Sequence, residues 1–528
     1  MAKGIAWAFA TPPLMAVDEP QHYLYGRAIA KEGHLWVPTT VDVPLELVAL
    51  NDLLHASQLR FTRHGVELPW TLPDSDPRSV KNRLLHLNQP ELKTQTKFDA
   101  TFQLVTQRAF NSYHPPLYYG MLALIQDWFK NRTIVERLWI CRMLSVFFAA
   151  LTVFVTHRAG LVIFKGDGLE ALFLTALVTF HPQFTFATAS ISNSSLEILI
   201  FSSVISLCVS AIRTGLTRAH LVLLIVLLLI GTATKSSMIC EIPLLWLLAI
   251  RELRLGAKES RLDILKNTAV PVLIASCLSL AIFARSIQSA GIGLSNYFPR
   301  TAGAMAHVTA TPLTGCAELD NCAHAFATYW AKFGWLDVVL PIYIYALIAL
   351  VCSMAAALSA RWLWQVWLPD RRHAFKEELF LPLFLLLAGA LPVLFYMSIH
   401  YYCVISTGGW FGVRGQYYLP AIITHMAWLV AVTGLIGNRN LRATTKISLF
   451  VGMIVLNLTS FECTLSRFFG NVPFLTQLQH AALLQQIHPL LYIVITFMYV
   501  SASIALAIAL TRLCLKSTQA LQIEPLIE

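Results

Sequence analysis

Met15-Ala-Val-Asp-Glu-Pro-Gln-His-Tyr23 marks a boundary in this chain. A short apolar segment precedes it, mostly polar sequence follows to residue 114, and beyond residue 134 long apolar runs dominate. Most of those runs approach the roughly 20 residues that an α-helix needs to cross a bilayer. The chain of 528 residues is 56% hydrophobic and only 13% charged, with a mean hydropathy of +0.61. Soluble chains carry about 25% charged residues. The fold class is therefore all-α, a polytopic membrane protein of helices.

The net charge of +10 does not imply nucleic acid. A nucleic-acid surface clusters Lys and Arg on one soluble face, whereas here they occupy short loops between apolar runs, as the positive-inside rule expects. Spanning helices are predicted at 134–156, 168–187, 194–212, 219–234, 237–251, 267–285, 336–358, 378–400, 416–436, 445–462 and 489–512. With a first helix ending near residue 16 this makes about twelve, the two around Lys235 being short and closely joined. Residues 1–16 are too short to cross, so the first helix is expected to have lost its N-terminal half, as a misassigned start codon would cause.

Loop charge orients the bundle. Arg251, Arg254, Lys258, Arg261 and Lys266 fill one loop; Arg361, Arg371, Arg372 and Lys376 the next; Arg439, Arg442 and Lys446 a third. The alternate loops hold only Arg300 and Lys332, Arg414, and Arg467. The rich loops are cytoplasmic and the poor ones external. Residues 17–133 then form one large external loop, 134–285 a first block of helices, 286–335 a second external loop and 336–528 the remaining helices, with both termini cytoplasmic. Within the first loop, 115–129 starts with Pro-Pro and is too short to span. It reads as a re-entrant or surface helix. Cys316 and Cys322 fall in the second external loop, where a local disulfide fits an oxidising compartment better than a zinc site, which usually takes four ligands.

The chemistry-bearing candidates gather on the external side. Asp18 and Glu19 follow the first helix directly, and His22 lies one turn beyond Asp18 on the same face. A partly desolvated carboxylate there can act as a general base; as plain charge, the pair would simply favour a helix N-terminus. Asp18, Glu19 and His22 could also ligate a divalent cation, although three ligands in one turn without a second cluster make a weak metal signal; no cofactor is certain, and a divalent cation stays open. In Tyr113-His-Pro-Pro-Leu-Tyr-Tyr119, His114 and Tyr118 are candidates to face a substrate. The bland reading is a Pro-fixed turn with an aromatic belt. Lys235 sits where no charge is expected, and charge at membrane depth marks function by default. Arg414, between Gly and aromatic residues, suits bidentate phosphate binding. Arg300 and Lys332 are weaker candidates, and Ser192-Asn-Ser-Ser195 reads as a helix cap.

Val17-Asp-Glu-Pro-Gln-His-Tyr23, Tyr113-His-Pro-Pro-Leu-Tyr-Tyr119, Phe333-Gly-Trp-Leu-Asp337 and Arg414-Gly-Gln-Tyr-Tyr-Leu-Pro420 together resemble a poorly characterised bacterial family of multi-pass membrane proteins, similar to the GT-C glycosyltransferases. The resemblance implies a GT-C-like fold in the bacterial inner membrane. It also implies a catalytic acid in the first external loop and transfer of a sugar from a polyprenyl-phosphate-linked donor to an external glycan, lipid or protein. Asp18 would then be the base and Glu19 its alternative, with His22, His114, Tyr118, Lys235 and Arg414 binding substrate. Membrane lipids and the lipid-linked donor are the expected partners, together with envelope-assembly proteins. A flippase or transporter of lipid-linked glycans, or a glycan polymerase or ligase, are the alternatives. The chain departs from the family pattern at Arg414-Gly-Gln, where the family order Gln-Gly-Arg would carry the guanidinium two positions later.

Overall fold

The structure is a computed structural model, described for residues 1–36, 43–55, 114–255, 265–289, 315–367, 379–407 and 413–523. Residues 37–42 and 56–113, Arg300, and the basic residues Lys258, Arg261, Arg371, Arg372 and Lys376 lie outside the described residues. The described residues are helical almost throughout. In order come α1 (Ala2–Ala10), α2 (Glu19–Glu32), α3 (Leu45–Leu53), α4 (Leu117–Trp128), α5 (Ile134–Ile163), α6 (Gly168–Phe180), α7 (Pro182–Thr188), α8 (Ser194–Thr214) and α9 (Arg218–Thr234). A 3-10 turn (Ser236–Glu241) leads into α10 (Ile242–Leu255), and a π turn (Leu265–Ala269) into α11 (Val270–Ser289). Then follow α12 (Gly315–Trp330), a hairpin of β1 (Lys332–Phe333) and β2 (Val338–Val339), α13 (Ile342–Trp367) and α14 (Phe380–Thr407). A 3-10 segment (Gly415–Ala421) opens α15 (Ile422–Thr433), before α16 (Arg439–Phe469), α17 (Phe474–Leu484) and α18 (Pro489–Ile523).

Among the described residues seven segments are long and apolar enough to cross a membrane: Ile134–Ile163, Ser194–Thr214, Leu265–Gln288, Ile342–Gln365, Phe380–Tyr402, Arg439–Phe469 and Pro489–Ser517. The other expected spans are shorter or interrupted helices, such as Gly168–Phe180 and Arg218–Thr234, because local chemistry breaks several apolar runs. Pro182 forces His181 into an extended conformation (ψ 117°), so 168–187 becomes α6 and α7. Lys235 is extended (φ −154°, ψ 137°) and parts α9 from the 3-10 turn. Pro420 lies in the 3-10 segment that replaces the start of 416–436. The 336–358 run starts late because the hairpin takes its first residues.

The external disulfide is not formed. Cys322 is a free thiol, and both cysteines lie on α12. Six helical residues separate their Cα atoms by about 9 Å at 1.5 Å per residue, beyond the roughly 7 Å limit of a disulfide.

Two helices of the first loop build the platform for the site. The inner face of α4 buries Tyr118, Tyr119, Leu122 and Gln126, and packs along α2. Gly26 makes that approach close: a Cβ there would lie 2.8 Å from Leu122 Cβ and 2.9 Å from Gln126 Nε2. Gln126 donates to Tyr23 O at 3.1 Å and Tyr25 donates to His114 O at 3.1 Å. The outer face of α4 is apolar, with Leu124 72% and Trp128 84% exposed. Those two residues are one turn apart. The helix is twelve residues long, about 18 Å at 1.5 Å per residue, and it packs against α5 and α9.

A short amphipathic helix of this kind seats its apolar stripe in the membrane interface. Leu124→Cys and Trp128→Cys are therefore expected to react much more slowly with a water-soluble maleimide in bilayers than His34→Cys, after subtracting the signal of the unmodified chain. Equal labelling rates at the three positions would refute an interfacial seat.

Candidate functional site

The site begins with a rivet between α1, α2 and α5. Arg142 of α5 is 1% exposed and Glu19 is 0% exposed. The guanidinium Nε donates to Glu19 Oε1 at 2.7 Å and Nη2 to Glu19 Oε2 at 2.6 Å. Its remaining N–H groups reach Ala8 O (2.6 Å), Thr11 O (2.6 Å) and Pro12 O (2.9 Å). All five donors of an arginine are thus used, and three of them satisfy carbonyls at and just beyond the C-terminus of α1, where a helix leaves its acceptors orphaned. Glu19 also accepts from Leu14 N and Ile191 N, each at 3.1 Å.

Glu19 was expected as an alternative base, and the structure corrects this. Four hydrogen bonds occupy the lone-pair sites of its carboxylate, so none remains to take a proton from a substrate. The divalent-cation set of Asp18, Glu19 and His22 fails with it. Glu19 turns toward Arg142, and the His22 ring shares a 2.9 Å hydrogen bond with Tyr119 Oη. Among the described residues no group of three His, Cys, Asp or Glu side chains is placed to hold a metal.

Asp18 faces the other way. It is the N-cap of α2 in a left-handed conformation (φ 58°, ψ 9°), which Asp and Asn tolerate better than other non-glycine residues. Its carboxylate Oδ2 accepts from Arg414 Nη1 at 3.2 Å. That pair is partly open, with the Arg414 side chain 22% and the Asp18 side chain 33% exposed. Arg414 is held by its successor. Gly415 N donates to Thr328 Oγ1 at 2.7 Å, and a Cβ at Gly415 would sit 1.9 Å from Ala325 O. Only glycine allows this approach. The departure from the family order thus still leaves a guanidinium at the acid.

Lys235 forms the second pair. Its Nζ donates to Glu197 Oε2 at 2.6 Å and Ser194 Oγ at 3.0 Å, and Ser237 Oγ donates to Glu197 Oε1 at 2.5 Å. The ammonium stands 5.7 Å from the centroid of the Tyr417 ring, within cation–π range. Tyr417 stacks on Tyr396 with centroids 4.5 Å apart and planes at 16°. The Tyr417 hydroxyl lies in the fields of Arg414, Asp18 and Glu197 together.

The histidines close the cluster. His22 feels both Asp18 and Lys235; burial pushes its pKa down to about 4, with Asp18 opposing and Lys235 adding to the shift. His114 is held well below the ordinary histidine value by burial, then by Lys235 and His22. Asp18, His22, His114, Lys235 and Arg414 therefore lie within electrostatic reach of one another. Tyr118 stands apart. It is fully buried, shares a 2.9 Å hydrogen bond with Ser145 Oγ, and accepts from Ser192 N at 3.0 Å. Instead of facing a substrate, it pins the turn that enters α8, the helix whose first residues include the Lys235 partners Ser194 and Glu197. Lys332 belongs to the hairpin, where its backbone N donates to Gln183 Oε1 at 3.0 Å.

The same hairpin braces the Asp18 turn. Trp335 Nε1 donates to Leu14 O at 3.1 Å. The Asp337 carboxylate accepts from Trp335 N and from Arg467 Nε, both at 3.0 Å. Sequence reasoning missed Arg142, Glu197 and Tyr417. A signal existed for the first two: each is a charge inside an apolar run, where an unpaired ion is costly and implies a partner.

Two outcomes follow. Arg142→Met leaves a buried carboxylate without its counter-charge, a loss of about 3–5 kcal/mol, whereas Arg414→Gln breaks a partly open pair worth about 1 kcal/mol or less. Thermal unfolding of the purified protein checks the contrast, and equal melting temperatures would contradict it. Acid also destabilises the fold through His22. The unfolded imidazole protonates near pH 6.5 but the folded one only near 4. The stability is therefore full above pH 6.5 and lost as the pH falls toward 4. The melting temperature of His22→Gln should fall less between pH 7 and pH 5 than that of the wild type; parallel curves would contradict the assignment.

Comparison with known proteins supplies the wider context. No curated protein matches the chain. Among solved structures it is similar to ArnT from Cupriavidus metallidurans bound to undecaprenyl phosphate, at 12% identity and a TM-score of 0.46, covering 96% of this chain and 75% of that one. It is also similar to the Archaeoglobus fulgidus oligosaccharyltransferase in complex with Zn and sulfate, at 11% identity and a TM-score of 0.38, covering 70% of this chain and 46% of that one. Residues 2–425 match the family described as predicted membrane protein (DUF2142), and the chain belongs to that family.

Proposed function

We propose that this protein is a membrane glycosyltransferase that moves a sugar from a polyprenyl-phosphate-linked donor to a hydroxyl of an external glycan, lipid or protein. One observation carries the reading. A single carboxylate of partial exposure, Asp18, lies with two cations, Arg414 and Lys235, in a membrane bundle. Asp18 takes the proton of the acceptor hydroxyl, whose oxygen bonds to the anomeric carbon as the bond from that carbon to the phosphate oxygen breaks. The electron pair leaves with the polyprenyl phosphate, and Arg414 and Lys235 hold the charge that develops there. Holding donor and acceptor in one cleft supplies proximity.

Glu19 and Tyr118 have different work in this scheme. Glu19 fixes the turn that presents Asp18, and Tyr118 fixes the loop before Glu197. The enzyme would reside in a bacterial inner membrane with the site on the external side and both termini cytoplasmic, in agreement with the Lys/Arg distribution.

The test is transfer of labelled sugar from a polyprenyl-phosphate-linked donor by purified protein in lipid. Asp18→Asn is expected to lower the rate by about 10²- to 10⁴-fold, the usual contribution of a general base, and Lys235→Gln to lower it as well. Full activity in Asp18→Asn would reject Asp18 as the base.

A further inference from the structure

The two ion pairs of the site differ in a way that bears on how a phosphate enters. Lys235 and Glu197 are both buried, their side chains 5% and 2% exposed, and Ser237 and Ser194 support them. A carboxylate so bound is costly to strip from its cation. Arg414 and Asp18 meet through a 3.2 Å contact between partly exposed side chains. Pairs of that kind are worth little and exchange readily. Of the two cations Arg414 is thus the more readily exchanged, and one of its contacts is to a carboxylate oxygen of the residue read as the base.

An arginine binds carboxylate and phosphate oxygens through the same fork of N–H donors. We propose that Asp18 and the phosphate of the lipid-linked donor compete for Arg414, so that phosphate binding displaces Asp18 and delivers it to the acceptor as a base. A carboxylate against a guanidinium is a weaker base than one released from it, because the neighbouring cation favours the ionised form. Donor binding would therefore switch the base on, and the donor must bind before the acceptor can be deprotonated. The inference rests on the glycosyltransferase reading and adds an order of events to it. Tyr417 assists, since its hydroxyl lies in the fields of Arg414, Asp18 and Glu197 and its ring lies under Lys235.

The competition makes an unusual prediction: removing the catalytic acid should tighten binding of the donor lipid. The probe is undecaprenyl phosphate, titrated against the full-length protein in nanodiscs. Asp18→Asn and Asp18→Gly both suit the left-handed backbone at φ 58°, and Gly also removes the side chain at position 18 as an acceptor for Arg414. Each is expected to bind undecaprenyl phosphate about two- to fivefold more tightly than the wild type, the range an exposed pair allows. Arg414→Gln is expected to bind more weakly, and a second substitution at Asp18 should then produce no further gain. If the wild type binds and both Asp18 variants bind equally or less tightly, the competition is overturned while the reading of function stands. A wild-type protein that binds no undecaprenyl phosphate overturns both.

Discussion

The Arg142–Glu19 pair is the contact on which the site depends. A fully buried guanidinium and carboxylate are tolerable only when every polar atom is satisfied, and here each is. The arrangement joins three pieces distant in sequence: the carbonyls that end α1, the first residue of α2, and the Ile191 amide before α8. Because α1 contributes only nine helical residues, its position comes from such contacts as much as from its length. Tyr492 Oη on Ala6 O and Gln485 Nε2 on Thr11 O add to them from α18 and the end of α17. Trp7 is enclosed by the rings of Phe186, Phe333 and Phe461.

The adjacency of Asp18 and Glu19 then becomes informative. Asp18 precedes the helix in a left-handed conformation while Glu19 is its first helical residue, so the two side chains leave the backbone in different directions. With Glu19 fixed inward on Arg142, Asp18 is directed outward to Arg414. Two carboxylates next to each other in sequence thus divide into one that builds and one that remains available for chemistry. A similar division separates Tyr118, tied to Ser145 and Ser192, from Tyr119, which holds His22.

Much of the site was legible in the sequence, and what was not has a physical cause. Asp18, His22, His114, Lys235 and Arg414 stood out because polar residues near apolar helix ends are conspicuous, and the structure gathers them. The role of Glu19 could not be read from its neighbours, since its partner is 123 residues away. Arg142 and Glu197 were hidden by averaging, one charge being diluted in a long apolar run. Helix existence was readable from hydropathy, but the breaks at His181 and Lys235 depend on a proline and on a tertiary ion pair. The cysteine pair misled because a polar composition between residues 286 and 335 suggested a loop, whereas its second half is the helix α12.

The central claim is that Arg414 and Lys235 form one seat for a lipid phosphate, with Asp18 beside it. A cryo-electron microscopy map of the full-length protein in nanodiscs with undecaprenyl phosphate tests this directly. The account predicts phosphate density within hydrogen-bond reach, about 3 Å, of Arg414 and Lys235 above the Tyr417 ring, with the Asp18 carboxylate withdrawn from the guanidinium. Phosphate density elsewhere on the protein, with the Asp18–Arg414 contact intact, would contradict it.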